Sequence, residues 1–181
     1  MEPYFQKTQL LIATLLLILC ATMMSCGYRF STQASLAGNV KRLCIATLEN
    51  RTAISGLETI MTNDLIYEFT RSGSAAITDK KTADAVLTGT IRSATSETIS
   101  HQSSHTSLER RITMVMDLRM TGKDGKIYWA ENGLSDFEEY RMASDKLSTD
   151  KLATEQNIKS AVKTLSKRLA QRIYYQMTNN F

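Results

Sequence analysis

An apolar run of 15 residues, Leu10 to Met24, dominates the start of the chain. A helix needs about 20 apolar residues to cross the hydrocarbon core of a membrane, so this run is too short to span one comfortably. Lys7 precedes the run and the small residue Ser25 follows it. A polar start, an apolar core and a small final residue are typical of a secretory signal peptide. We therefore expect residues 1–25 to be a signal peptide that is removed.

The next apolar stretches predict a strand and then a helix. Residues 40–48 (VKRLCIATL) favour a central β-strand, and the turn-prone sequence ENRT at 49–52 closes it. After Ser55 the apolar positions recur at spacings of three and four, which is typical of an amphipathic helix, and Gly73 stands where helices commonly end. The apolar face of this helix consists of Leu57, Ile60, Met61, Leu65 and Phe69.

Two further stretches complete a βαβ unit. Residues 75–78 predict a short strand, 79–84 (DKKTAD) a turn, and 85–91 (AVLTGTI) another strand. A strand, a crossover helix and a parallel strand form a right-handed unit in nearly all proteins.

The middle of the chain predicts a long hairpin. Residues 112–121 alternate strictly between apolar and mainly polar side chains, which indicates a strand with one buried face. The sequence GKDG at 122–125 predicts the turn, so residues 127–140 should return antiparallel, with Ile127 and Trp129 on the inner face. The buried positions expected on the first strand are Ile112, Met114, Met116, Leu118 and Met120.

The end of the chain predicts a polar loop and a long helix. Residues 141–153 are polar and loop-like, and the segment beyond them carries one apolar stripe at helical spacing. This stripe consists of Ile158, Ala161, Val162, Leu165, Leu169, Ile173 and Met177. The sequence therefore predicts an α+β fold, an α/β sandwich: a mixed sheet with a βαβ start and a long antiparallel hairpin carries both helices on its apolar face. The other face of the sheet is left polar and open.

Length and charge narrow the class of protein. Removal of residues 1–25 from 181 leaves 156, enough for one domain with a proper core but hardly for two. With 22 Lys and Arg against 18 Asp and Glu, the net charge of +4 is a mild basic excess that identifies no partner. Basic residues never run longer than two and are not interleaved with aromatic residues, so we do not expect a nucleic acid partner.

The cysteine directly after the expected signal peptide has a chemical explanation. Residues 23–26 (MMSC) resemble the bacterial lipobox, in which an aliphatic residue and two small residues precede an invariant cysteine. Lipidation of Cys26 would place several acyl chains in a membrane leaflet, and each buried methylene contributes about 0.8 kcal/mol. Gly27 follows in place of an aspartate, which the resemblance associates with delivery to the outer membrane. A signal anchor with a chance cysteine is the alternative.

The remaining chemistry is sparse. Cys20 would leave with the signal peptide, so Cys44 would be the single free thiol, and its apolar surroundings predict a buried, inert side chain. His101 and His105 are the two imidazoles, and they would align as metal ligands only on a helix, which the serine-rich segment disfavours. The sequences GxSxG, GxGxxG and GxxxxGKS are absent. We therefore expect no enzyme, no metal and no cofactor.

Segments spread over nearly all of the expected mature chain resemble the lipopolysaccharide-assembly lipoprotein LptE family. The similar stretches are CGYRFS at 26–31, VKRLCIATLENRT at 40–52, LETIMTNDLIYEF at 57–69, DKKTADAVLTGTI at 79–91 and EEYR at 138–141. The resemblance implies a non-enzymatic lipoprotein of the outer membrane, anchored there by lipid. It would sit in the lumen of the LptD β-barrel, support that barrel and help to load lipopolysaccharide. We accordingly expect a signal peptide at 1–25, a lipidated tether at 26–39 and a single domain at 40–181.

The resemblance also implies that basic residues near one end of the sheet contact lipopolysaccharide. Arg forks and Lys point charges suit its phosphates. The candidates are Arg110, Arg111, Lys146 and Lys151. Solvated surface charge is the alternative for each of them. Secretion-channel subunits and peptidoglycan-synthase activators share a similar layout and remain the alternative for the whole protein.

Overall fold

A computed structural model describes residues 36–100, 109–142 and 148–179, without the side chains of Ser100 and of 148–151. Within these ranges the chain forms a six-stranded sheet and two α-helices. The strands are β1 (Arg42–Ile45), β2 (Glu49–Asn50), β3 (Ala76–Ile77), β4 (Ala85–Ser100), β5 (Glu109–Gly122) and β6 (Ile127–Arg141). The helices are α1 (Leu57–Ser72) and α2 (Ser148–Asn179), and a short 3-10 helix covers Ala37–Asn39.

The sheet is mixed, as predicted. Its order is β3-β1-β4-β5-β6, and β2 pairs with β4 beyond the end of β1. β1 runs parallel to β3 and to β4, whereas β4, β5 and β6 are successively antiparallel. The parallel pair β1 and β3, joined through α1, forms the βαβ start, and β5 and β6 form the long hairpin. The α+β fold class is therefore confirmed.

One predicted turn begins later than expected. Glu49 and Asn50 form β2, which pairs parallel with Thr90 and Ile91 of β4. The chain turns after them, because the Asn50 side chain accepts hydrogen bonds from the amide of Thr52 (2.9 Å) and from its hydroxyl (2.8 Å). An asparagine side chain that caps the backbone two residues ahead is a common way to start a turn.

Helix α1 follows the predicted pattern except at its edge. Leu57, Met61, Leu65 and Phe69 are fully buried, whereas Ile60 is 37% exposed at the border of the apolar face. The helix ends as predicted: Gly73 has the left-handed φ of 66° and its amide donates to the carbonyl of Phe69. Glycine adopts this conformation without the steric cost that a Cβ would impose.

The hairpin confirms the pattern of β5 and corrects that of β6. Every predicted inner residue of β5 is buried, and Trp129 of β6 is buried opposite Met120. The prediction for Ile127 was wrong, since this side chain is 55% exposed. The pairing skips Tyr128, so Ile127 lies opposite Thr121 on the outer face. One extra residue in a strand reverses the side-chain alternation beyond it.

Helix α2 begins earlier than predicted. It starts at Ser148, so the expected loop over 141–153 is too long by its last six residues. These first turns extend beyond the core: Leu152 is 64% exposed. A helix segment that buries little needs no apolar stripe, and the periodicity therefore gives no signal there.

The core lies between the two helices and the inner face of the sheet. Its largest fully buried side chains include Leu43, Leu87, Ile91, Met114, Met116 and Met120, and Leu165, Leu169 and Ile173 of α2 join the same cluster. Leu36 and Ala37, in the segment expected to be a tether, are also buried there. Cys44 is free but only half-buried, because Leu43 and Ile45 take the inward positions of β1. The prediction that Cys44 is buried was therefore wrong. Within the described ranges, neither helix combines the length and apolarity that crossing a membrane requires.

Helix α2 covers the free edge of β6. Arg168 donates to the carbonyl of Phe137, Arg172 to that of Ser135 (3.2 Å) and Asn157 to that of Arg141 (2.8 Å). Arg168 also forms ion pairs with two carboxylates of β6, Asp136 (2.6 Å) and Glu138 (2.7 Å). Unpaired strand edges invite association with other chains, so these contacts protect the sheet.

Candidate functional site

The outer face of the sheet, which points away from the helices, carries a polar groove of about 480 Å³. Side chains alternate across each strand, so the residues between the buried positions of β4 and β5 project to this face. Glu49 of β2 and Arg51, which directly follows this strand, line one side of the groove. The other polar residues that line it are Thr88, Thr90, Arg92, Asp117, Arg119 and Asn132.

Glu49 and Arg51 form a charged pair at this groove. Arg51 Nε donates to Glu49 Oε1 (2.9 Å), and the Thr90 hydroxyl donates to Glu49 Oε2 (3.0 Å). The hydrogen bond from Arg51, together with that from Thr90, lowers the pKa of the Glu49 carboxyl. The same hydrogen bond raises the pKa of Arg51. Both side chains are more than half exposed, so a partner could compete for them.

Asp117 holds the opposite side of the groove in place. Its Oδ1 accepts a hydrogen bond from the amide of Gly133 (2.7 Å) and one from Arg92 Nη1 (3.4 Å). Gly133 has a φ of 70° and lies where the pairing of β5 with β6 skips between Met116 and Leu118. Asp117 thus stabilises a bulge in β6 and positions an arginine on the polar face.

Two donors of the groove are unused. The side chains of Arg119 and Asn132 line it but make no hydrogen bond or ion pair within the described part of the chain. Exposed donors of this kind are available to a polar partner surface. The sequence placed Arg119 on the polar face of its strand, whereas Arg51, Arg92 and Asn132 were missed. These three residues come from three separate segments of the chain. In the sequence, only the alternation of side chains along β4 indicated that residues of this strand share a face.

Arg110 and Arg111, two of the predicted lipopolysaccharide contacts, point to opposite faces of β5. Arg110 lies opposite Tyr140, whose side chain is buried in the core, and it donates to the carbonyl of Ser96 (3.1 Å). Arg111 lies on the outer face opposite Glu139. Neighbouring residues of a strand alternate in direction, so the two guanidinium groups do not form one cluster.

Arg111 is engaged on its own face. Its Nη2 pairs with Glu139 Oε1 at 2.7 Å, and its guanidinium lies 4.3 Å from the ring centre of Phe137. Only a third of its side chain is exposed. A ligand that binds Arg111 must therefore displace or join these contacts.

The remaining predicted site residues, and the two histidines that the sequence disfavoured as metal ligands, fall outside what the structure describes. Cys26, His101, His105 and Lys146 lie beyond the described ranges, and Lys151 lies in α2 with an undescribed side chain. Within residues 36–100, 109–142 and 148–179, no three metal-ligating side chains come together.

Solved structures share this fold. Rare lipoprotein B from Shewanella oneidensis matches with a TM-score of 0.52 and 18% identity, over 76% of this chain and 93% of its own. Lipoprotein B from Nitrosomonas europaea matches with a TM-score of 0.52 and 12% identity, over 84% of this chain and 94% of its own. Identities this low support similarity of fold alone. No curated protein sequence matches the chain significantly.

A family model resolves the identity that the fold alone leaves open. The model, described as LptE, lipopolysaccharide-assembly, matches residues 40–177. This range includes all six strands and nearly all of both helices. It also agrees with the resemblance found in the sequence. The chain belongs to the LptE family of lipopolysaccharide-assembly proteins.

Proposed function

We propose that this protein is an outer-membrane lipoprotein that occupies the lumen of an LptD-like β-barrel. There it supports the barrel and assists the assembly of lipopolysaccharide at the outer membrane. The role is non-enzymatic and needs no cofactor. Membership of the LptE family supports this proposal.

The observation that carries the proposal is the open polar face of the sheet. The lumen of a barrel wide enough to hold a domain is polar, so a domain inside it needs its own core and a polar outer surface. Here the two helices cover one face of the sheet. The opposite face carries the groove that Glu49 and Asn132 help to line, and it remains open to a barrel wall. Arg119 in particular can donate to a barrel wall without breaking a side-chain hydrogen bond or ion pair to any described residue.

The proposed anchor is a lipid on Cys26. Signal cleavage after Ser25 would leave Cys26 as the first residue of the mature chain. Residues 26–39 would then tether the domain that follows at 40–181. Mass spectrometry of the mature protein tests this arrangement, since an unmodified Cys26 in cells that process lipoproteins would contradict it.

Photocrosslinking tests the barrel partner. Thr113 and Arg119 lie on the outer face, whereas Leu118 and Leu165 are 2% and 0% exposed. A crosslinking residue at either outer position should capture one large β-barrel protein, and at either buried position only this chain itself. Failure of both outer positions to capture a barrel would remove the role and favour another class of envelope lipoprotein.

We further propose that Arg110, Arg111, Lys146 and Lys151 contribute to lipopolysaccharide binding. Replacing Arg111, Lys146 and Lys151 by glutamine should weaken this binding most at low salt, where exposed charges are poorly screened. The matched control removes three exposed lysines of α2: Lys159, Lys163 and Lys167. Equal binding by both variants would exclude the three tested candidates. Arg110 needs its own variant because it contacts the carbonyl of Ser96.

A further inference from the structure

Charged side chains gather at one end of the sheet, which we call the basic end. Three segments meet there: 41–42, 79–84 and 123–126. The amide of Asp84 donates to the carbonyl of Arg42 (2.8 Å), and the amide of Lys123 donates to the carbonyl of Asp84 (3.1 Å). These contacts bring the start of β1, the turn before β4 and the hairpin turn side by side.

The basic end has a surplus of positive charge. Its three segments contain six cationic side chains against three carboxylates, a surplus of three positive charges. Two of the carboxylates are already paired, Asp84 with Arg42 (2.7 Å) and Asp124 with Lys126 (3.6 Å). Four exposed lysines make no ion pair within the described residues: Lys41, Lys80, Lys81 and Lys123.

The opposite end of the hairpin has no such surplus. Its described segments, 97–100, 109–111 and 138–141, contain three arginines and four glutamates. Two of the arginines pair with glutamates of the same end, Arg111 with Glu139 (2.7 Å) and Arg141 with Glu109 (3.4 Å). Arg168 of α2 pairs with Glu138 at the same end (2.7 Å), so the described charges there balance and the positive surplus lies at the basic end.

The chain enters the domain at the basic end. Leu36 bridges to Val40, just before β1, and Gly38 lies directly against the ring of Tyr128, which follows the hairpin turn. Leu36 follows Cys26 by ten residues. Ten residues span at most about 36 Å, so a membrane anchor at Cys26 would keep this end of the domain near the membrane surface.

We propose that the basic end docks on the anionic phospholipid headgroups of the leaflet that holds the anchor. This inference rests on the proposed acylation of Cys26. Each basic residue close to an anionic membrane surface strengthens binding about fivefold. Ile127, an apolar side chain that is 55% exposed beside the hairpin turn, suits the boundary between headgroups and acyl chains. The opposite end, which has no positive surplus, would then point away from the membrane surface.

Photocrosslinking in lipid nanodiscs tests the docking. The full chain, isolated with its anchor, is placed in nanodiscs of phosphatidylcholine alone or of phosphatidylcholine mixed with phosphatidylglycerol. A crosslinking residue at Ala76, exposed beside Arg42, should label lipid severalfold more in the anionic nanodiscs. The same residue at Thr98, exposed at the opposite end, should label little lipid in either.

Two variants with equal loss of charge identify the cause. Replacing Lys80, Lys81 and Lys123 by glutamine should reduce lipid labelling from Ala76 severalfold. Replacing three exposed lysines of α2 should leave it unchanged: Lys159, Lys163 and Lys167. Equal labelling from Ala76 and Thr98, an equal effect of both variants, or capture of a barrel protein in place of lipid by Ala76 in whole membranes would overturn the proposal.

The measured mass of the same preparation shows whether Cys26 is acylated. It therefore distinguishes failure of the docking inference from failure of the proposed anchor. If Cys26 carries no acyl chain, the anchor is wrong, and flotation of the full chain with vesicles then tests the basic end alone. Flotation that requires phosphatidylglycerol together with Lys80, Lys81 and Lys123 would still support docking. Flotation that requires neither phosphatidylglycerol nor these three lysines would overturn the docking proposal.

Discussion

The amide of Gly133 in β6 donates a 2.7 Å hydrogen bond to Oδ1 of Asp117 in β5, where the pairing of the two strands is interrupted. This contact connects an irregularity in the backbone with the polar groove, because the same carboxylate oxygen receives Arg92. Asp117 is therefore expected to stabilise the hairpin and also to position Arg92 on its polar face.

Replacing Asp117 by alanine should destabilise the domain by about 1.5 kcal/mol, the lower end of the usual range for a hydrogen bond to a charged group, because this carboxylate is partly exposed. Urea unfolding followed by circular dichroism measures the change. Arg119→Ala is the matched control, because Arg119 lines the same groove, has no side-chain partner among the described residues and should alter stability by less than about 0.5 kcal/mol. Equal effects of the two changes would show that the contact with Gly133 contributes nothing.

Leu165 provides the test of the shared core. Its side chain is fully buried between α2 and the rest of the core, so Leu165→Ala should cost about 2–5 kcal/mol through lost burial and the cavity left behind. Tyr175 of the same helix is 66% exposed, and Tyr175→Ala should cost far less. A small loss at Leu165, measured by urea unfolding, would mean that α2 does not pack as described.

Arg168 should protect the protein from association. Arg168→Ala removes one carbonyl contact and two ion pairs at the edge of β6, so the variant should aggregate faster at the same protein concentration. Light scattering follows the aggregation. Lys167→Ala removes the neighbouring exposed charge without touching the edge and should behave like the unchanged protein. Matched aggregation of both variants would point to net charge as the cause.

Asp84 should make stability dependent on acidity. The hydrogen bond from Arg42 holds the pKa of Asp84 at about 2, below its ordinary value of 3.8. A carboxyl whose pKa is lowered by folding stabilises the folded state above the ordinary pKa, and this contribution disappears as the pH falls from about 4 to about 2. Urea midpoints of the unchanged protein and Asp84→Asn should therefore converge over this interval. A constant difference between them down to pH 2 would contradict the assignment.

The regular parts of the fold were predictable because their side chains follow one period. The alternation of β5 and the stripe of α2 from Ile158 to Met177 reflect burial on a single face, and the structure buries all of these positions except the half-buried Ile158. Ile127 and Cys44 were misplaced for a different reason. A skipped residue at Tyr128 and the inward direction of Leu43 depend on pairing between strands, which a run of apolar letters does not encode.

The candidate groove was harder to predict than the fold. Arg51 and Arg92 are separated in the sequence by α1, β3 and the first part of β4. They meet because β2 pairs with β4 at Thr90. Arg110 and Arg111 show the opposite case. They are adjacent in the sequence, yet the strand directs them to different faces, so a dibasic pair in a strand does not indicate a dibasic site.

The covering of β6 by α2 also determines when, during synthesis, the free edge of the sheet becomes protected from association with other strands. The residues that satisfy its edge, Asn157, Arg168 and Arg172, belong to the last element of the described chain. A polypeptide is made from its N-terminus, so β4, β5 and β6 are complete while these residues are still missing. During that interval the nascent hairpin presents the carbonyls of Ser135, Phe137 and Arg141 to any neighbouring strand. Premature termination before Asn157 would make this exposure permanent, so such a fragment should be a substrate for chaperones and proteases.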